Sequence, residues 1–173
     1  MKPISARILQ VAKSYLGQLE KPNNGGFVNP EFESEMVENG FNKGESWCTI
    51  FAKLVWSKAY ERYNSNLHFA MNELFSESAV KTFHNFEKSK LFGSTKAPEP
   101  GALVVWQNYR NGEPHWTGHI GIFKEYAGGK IITIDGNSNE QGVRNGDRVI
   151  ERARAINYNA VNGFRLLGFI NPK

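Results

Sequence analysis

The sequence predicts an α+β fold in which N-terminal helices pack on a C-terminal antiparallel sheet of about five strands. Up to about residue 92, apolar residues recur every three or four positions, which is typical of amphipathic helices. Beyond Pro98 and Pro100, apolar residues alternate or are β-branched, which is typical of strands. Because neither half can cover its own apolar surface, we expect one domain over 1–173, helical over about 1–95 and sheet over about 100–171.

Three strong helices and one short one are predicted in the first half. The first ends at Gly17, and turn-forming residues over 21–29 then predict an exposed loop before a short helix at 31–38. The second strong helix begins around Cys48, and the third covers about 78–90, with Ser76 or Ser78 as its cap. The apolar faces of the three strong helices are Ile8, Val11, Ala12, Tyr15 and Leu16; Ile50, Phe51, Leu54, Val55 and Ala59; and Ala79, Val80, Phe83 and Phe86.

Five strands are predicted in the second half, and their short connections suit antiparallel hairpins. They are expected at 102–106, 119–124, 130–135, 148–153 and 164–170.

Composition and charge narrow the class of protein. The chain is 40% apolar and 22% charged, which argues against disorder. Its apolar runs are shorter than the roughly 18 residues of a membrane span. Residues 1–10 lack the apolar core of a secretory signal, so we expect synthesis in the cytoplasm without a signal peptide.

A net charge of +4 and a pI near 9.2 favour an anionic partner, which the charge alone does not identify. The basic residues near the C-terminus, Arg154 among them, are interpreted as a solvated face, with a polyanion-binding groove as the alternative. The sequence carries no motif typical of nucleic-acid binding.

The only cysteine, Cys48, is a candidate nucleophile because it lies where a loop meets the start of an amphipathic helix. Free N–H groups and the positive end of the helix dipole stabilise a thiolate there. The alternative is a small buried apolar residue, which is the usual role of an isolated cysteine.

A predicted hairpin supplies a second set of candidates. Pairing Ile120 with Ile134 and Ile122 with Ile132 buries the isoleucines together around a five-residue loop. This register sets His119 directly across from Asp135, where the carboxylate accepts an imidazole N–H. A cysteine, a histidine and an orienting carboxylate form a nucleophile, base and orienter, whereas without the thiol the pair has a purely structural interpretation.

Two further features leave alternatives open. If the strand continues past Asp135, Asn137 lies on the same side as Asp135 and is expected to steady the imidazole or to donate to a substrate oxygen. The alternative is that Gly136 and Asn137 simply form a turn. His115 and His119 have the spacing of a zinc pair on a helix, but Pro114 and the strand prediction argue against a helix. We therefore expect no metal and no cofactor.

Four short motifs, in this order and at this spacing, resemble the CHAP family of cysteine- and histidine-dependent amidohydrolases and peptidases, part of the papain-like group that includes the NlpC/P60 enzymes. They are WCTIF at 47–51, PGALVVW at 100–106, GHIGI at 118–122 and IDGN at 134–137. The resemblance covers about residues 45–140 and implies a papain-like (NlpC/P60-type) fold. It departs from the family at Ala102, where aspartate is frequent, and at Asp135, where glutamate is usual.

The resemblance implies a nucleophilic Cys48, a general base at His119, an acidic orienter at Asp135 and a supporting Asn137. It implies cleavage of an amide in peptidoglycan, in the stem peptide or at the muramoyl-alanine junction. The N-terminal helix and the 21–29 loop resemble a subgroup of phage-associated and secreted wall hydrolases, so we expect action at the cell wall or periplasm.

We expect the protein to be a monomer that binds peptidoglycan. An immunity protein and a secretion machine are further candidate partners. Trp47, Trp116 and Tyr109 are candidate substrate-binding residues, with core packing at least equal for Trp47. The rivals are a thiol acyltransferase on the same scaffold and a catalytically silent wall-binding or adaptor module.

Overall fold

Helices occupy the first half of the chain and strands the second, as the sequence predicts. The computed structural model describes residues 1–139 and 146–173. Five α-helices lie within these ranges: α1 Pro3–Ser14, α2 Pro30–Glu38, α3 Cys48–Glu61, α4 Ser65–Asn72 and α5 Ala79–Lys88. The strands are β1 Ser94–Thr95, β2 Leu103–Arg110, β3 Glu113–Ala127, β4 Lys130–Ser138, β5 Arg148–Ala155 and β6 Gly163–Ile170.

The helix starts follow local chemistry. Asn29 caps α2 by accepting from the backbone N–H groups of Glu31 and Phe32, and Pro30 takes the first helical position. The Ser78 side chain caps α5 by accepting from the backbone N–H of Lys81, in agreement with the predicted cap. Leu16 lies beyond the end of α1 and is 40% exposed, so its predicted place on the buried stripe was wrong.

The sheet is antiparallel in the order β1-β6-β2-β3-β4-β5. It has one strand more than predicted because a two-residue strand, β1, pairs with β6. Helices and sheet share one core, in which α3 packs on β3 and β4. The α+β prediction is therefore confirmed.

Alternation along the strands gives the sheet two differently packed faces. Ile120, Ile122 and Ile134 belong to the core shared with the helices, whereas Trp106 and Phe123 belong to a second apolar cluster. His119 is adjacent in sequence to Ile120 and lies near the ring of Trp106, at 6.1 Å between centroids.

The predicted register of the β3–β4 hairpin was wrong by two residues. Ile122, not Ile120, pairs with Ile134, and the loop is a two-residue turn at Gly128 and Gly129. A bulge between Phe123 and Glu125 accommodates the difference. On the His119 side of the bulge the shift is two, which leaves His119 and Asp135 on their predicted face because side chains along a strand alternate with a period of two. Beyond the bulge Glu125 pairs with Ile132, a shift of three.

Within 1–139 and 146–173, no helix combines the length and apolar character needed to cross a bilayer.

Candidate active site

Cys48 is the first residue of α3. The preceding residue, Trp47, is the N-cap of α3. Its side chain accepts no hydrogen bond from the backbone N–H groups of the first turn. Trp47 is fully buried and makes edge contacts with Phe27 and Phe51, with ring centroids 5.0 and 6.4 Å apart. These contacts fix where the helix begins and therefore where the thiol lies.

Strand β4 passes the start of α3 at very short range. A Cβ on Gly136 would lie 2.6 Å from the Cβ of Phe51 and 2.7 Å from Cζ3 of Trp47. Only glycine fits this approach, which locks the neighbouring Asp135 and Asn137 against the helix that carries Cys48.

His119 and Asp135 form a buried pair. Nε2 of His119 donates to Oδ2 of Asp135 at 2.9 Å, and the two side chains are 9% and 0% exposed. They are not directly opposite, because the register differs from the predicted one. The carboxylate reaches the imidazole across Gly121, where the absence of a side chain leaves it room.

Arg154 completes the arrangement from β5. Its Nη2 donates to the same Oδ2 of Asp135 at 2.7 Å. Its guanidinium lies 5.1 Å from the ring centre of Trp106 and 5.9 Å from that of Phe164. The buried carboxylate on β4 therefore has two cationic partners, His119 on β3 and Arg154 on β5, the two strands that flank β4.

The ionisation of these groups is coupled. Burial raises the pKa of Asp135, but the charges of Arg154 and His119 outweigh burial and hold that pKa below its usual range. Burial likewise lowers the pKa of His119, yet the Asp135 carboxylate prevails and raises it to about 9. Burial opposes ionisation of the Cys48 thiol, and interaction with His119 and with the backbone N–H of Ile120 lowers its pKa overall. These shifts favour a thiolate beside an imidazolium.

The thiol and the imidazole open onto one cleft with a volume of about 440 Å³. Nε2 of His119 is engaged with Asp135, which leaves Nδ1 as the ring nitrogen for the thiol. The cleft walls also include Glu77, Trp116 and Phe164, and the remaining lining residues are mostly small or polar.

The sequence-predicted candidates separate into two groups. Cys48, His119, Asn137 and Trp116 line the cleft, with Asp135 directly behind His119. Asn137 has φ +52° and lies within the strand irregularity between Asp135 and Ser138. Its side-chain oxygen has no hydrogen-bond partner among the described residues.

Two predicted substrate-binding residues do not line the cleft. Trp47 is enclosed by aromatic rings, which leaves none of its surface for substrate and favours the alternative of core packing. Tyr109 lies on β2 with the guanidinium of Arg165 stacked 3.5 Å from its ring centre. Trp116, by contrast, is 73% exposed at the cleft wall.

Sequence reasoning missed the role of Arg154, which it assigned to a solvated basic face. The signal available was an arginine directly after the strand predicted at 148–153, which follows the predicted strand ending at Asp135. Of the described residues, no group of three or more histidine, cysteine, aspartate or glutamate side chains is arranged to hold a metal ion.

Comparison with known proteins gives one match. The family model described as the CHAP domain matches residues 39–137, more than half of the chain. No curated protein and no solved structure matches. The matched range includes Cys48, His119, Asp135 and Asn137 and ends before Arg154.

Proposed function

The chain belongs to the CHAP domain family, and from that premise we propose that it is a peptidoglycan hydrolase in which Cys48 cleaves an amide bond with the help of His119 and Asp135. CHAP domains are typically cysteine- and histidine-dependent amidohydrolases or peptidases that act on peptidoglycan. The bond proposed here lies in the stem peptide or at the muramoyl-alanine junction, and the place of action is the cell wall.

The observation that carries the proposal is that Cys48 and His119 line one open cleft, with Asp135 hydrogen-bonded to His119 from behind. The three residues are distant in sequence, and their ionisation is coupled in the direction that a thiol nucleophile needs. A structural histidine tied to a carboxylate requires neither an opening nor a thiolate.

The reaction follows from the positions of these groups. The Cys48 thiolate attacks the amide carbonyl and forms a tetrahedral oxyanion, for which the backbone N–H of Cys48 is a donor. The His119 imidazolium gives its proton to the leaving nitrogen, and the C–N bond breaks to leave an acyl-enzyme. Neutral His119 then takes a proton from water, the hydroxide attacks the thioester carbonyl, and the acid product and the thiolate are released.

Asp135 acts behind the imidazole. It holds the ring through Nε2 so that Nδ1 faces the sulfur, and its negative charge stabilises the imidazolium. Trp116 is the one proposed substrate-binding residue with an exposed face on the cleft, where it offers a flat apolar surface to a sugar or peptide.

The test is digestion of purified peptidoglycan followed by mass spectrometry of the soluble fragments. We expect fragments cut at one type of amide bond, and no such fragments from Cys48→Ala or His119→Ala variants with unchanged circular dichroism. Cleavage at the wild-type rate by both folded variants would rule out the thiol mechanism. A product extended by an added amine would identify an acyltransferase, and binding of the wall without cleavage would identify a silent module.

A further inference from the structure

We propose that Arg154 is a positioning residue that clamps the carboxylate of Asp135 in the orientation in which it holds His119. The inference rests on the proposed function but concerns a residue outside the matched family range. It assigns Arg154 no contact with the scissile bond.

The clamp consists of two hydrogen bonds to one oxygen. Oδ2 of Asp135 accepts from Nη2 of Arg154 at 2.7 Å and from Nε2 of His119 at 2.9 Å. The other oxygen, Oδ1, has no hydrogen-bond partner among the described residues. Arg154 and His119 also lower the pKa of Asp135 more than the Thr133 hydroxyl does. The orientation of the carboxylate therefore depends mainly on these two cationic donors, and loss of Arg154 leaves the imidazole as the remaining charged partner.

The position of Arg154 is itself fixed by aromatic rings. Its side chain is 17% exposed, and its guanidinium contacts Trp106 on β2 and Phe164 on β6. The side chain of Arg154 thus extends from β5 across the curved sheet to β2 and β6, which are not adjacent to β5 in the strand order. Such contacts are typical of a guanidinium held in one place, and they distinguish Arg154 from the solvated arginines expected of a basic face.

Charge gives the clamp a second effect. The charged groups that act on Asp135 are Arg154 from β5 and His119 from β3; Cys48 from α3 interacts with His119, and Glu77 lies on the cleft wall. A buried carboxylate is stable when cationic partners offset its desolvation, and Arg154 is one of two that do so. Without Arg154 the carboxylate can turn away from His119, and a His119 that lacks its carboxylate stabilises the nearby thiolate less.

The ionisation of Cys48 can be measured without any substrate. Cys48 is the only cysteine, so the rate of alkylation by iodoacetamide as a function of pH reports its thiolate alone. We expect Arg154→Gln to move the midpoint of this profile upward by about one pH unit. Arg154→Lys keeps the charge and should lie nearer to the wild type. Arg165→Gln, which removes a ring-stacked arginine that makes no contact with Asp135, should leave the midpoint unchanged.

A double variant tests whether Arg154 acts through Asp135. In an Asp135→Asn background the carboxylate charge is absent, so adding Arg154→Gln should move the midpoint little further. This comparison does not require a folded Arg154→Gln variant, because it uses only Asp135→Asn and the double variant, and neither contains a buried carboxylate deprived of Arg154.

Two results would overturn the clamp: a wild-type midpoint in folded Arg154→Gln, or a shift of about one pH unit between Asp135→Asn and the double variant. Wild-type protein with an ordinary thiol profile and no wall cleavage would instead overturn the proposed function.

Discussion

The carboxylate of Asp135 occupies the space that a side chain on Gly121 would fill. A Cβ built at position 121 would lie 2.0 Å from Oδ1 of Asp135, far inside the distance at which atoms touch. The pair between His119 and Asp135 therefore depends on a residue that has no side chain to contribute.

Gly121→Ala should displace the Asp135 carboxylate and reduce wall cleavage about as strongly as Asp135→Ala does. We expect a loss of tenfold or more, because a misplaced orienter leaves the imidazole poorly aligned, together with a stability loss of about 1–3 kcal/mol. Fragment release and urea unfolding measure the two effects. In an Asp135→Ala background the added methyl group meets no carboxylate, so a further large loss of cleavage there would contradict this explanation.

His119 should make stability depend on pH. Its folded pKa of about 9 exceeds the ordinary 6.5, so its contribution is complete below pH 6.5 and is lost as the pH rises through 9. We expect the unfolding free energy of Cys48→Ala to fall over this window relative to Cys48→Ala/His119→Gln. The Cys48→Ala background removes the opposing pH dependence of the thiol together with its hydrogen bond to His119, and there Asp135 still holds the pKa of His119 above 6.5. If the unfolding free energies of the two variants changed in parallel with pH, the raised pKa of His119 would be refuted.

Trp116→Ala should weaken substrate binding without affecting the fold. An aromatic contact contributes roughly 1 kcal/mol, so KM for a soluble muropeptide should rise about fivefold with kcat nearly unchanged. Phe69→Ala is the matched control, because Phe69 is also 73% exposed but lies on α4, away from the cleft. Steady-state kinetics of both variants give the comparison, and equal KM values would remove Trp116 from the binding surface.

The sequence predicts those parts of the fold that depend on local pattern. The two halves, the start of α3 at Cys48 and the Ser78 cap follow from periodicity and capping chemistry. The face shared by His119 and Asp135 was also predictable, because it survives any register error of two residues.

The features that sequence reasoning missed depend on tertiary contacts. The bulge after Phe123 and the two-residue turn set the true register of β3 and β4, and neither has an unambiguous local signal. Arg154 reaches Asp135 because the curved sheet brings β5 toward β2 and β6. Trp47 was a candidate both for the hydrophobic core and for a substrate-binding groove, because aromatic side chains occur in both. Only the tertiary structure shows that it is buried.

The missing side chain at Gly136 has a mechanical consequence. With no gap between β4 and the first turn of α3, the sulfur and its supporting acid belong to one rigid body. We expect local unfolding not to separate them, so the proposed active site is formed before any substrate binds. Heat inactivation and global unfolding should then occur at the same temperature.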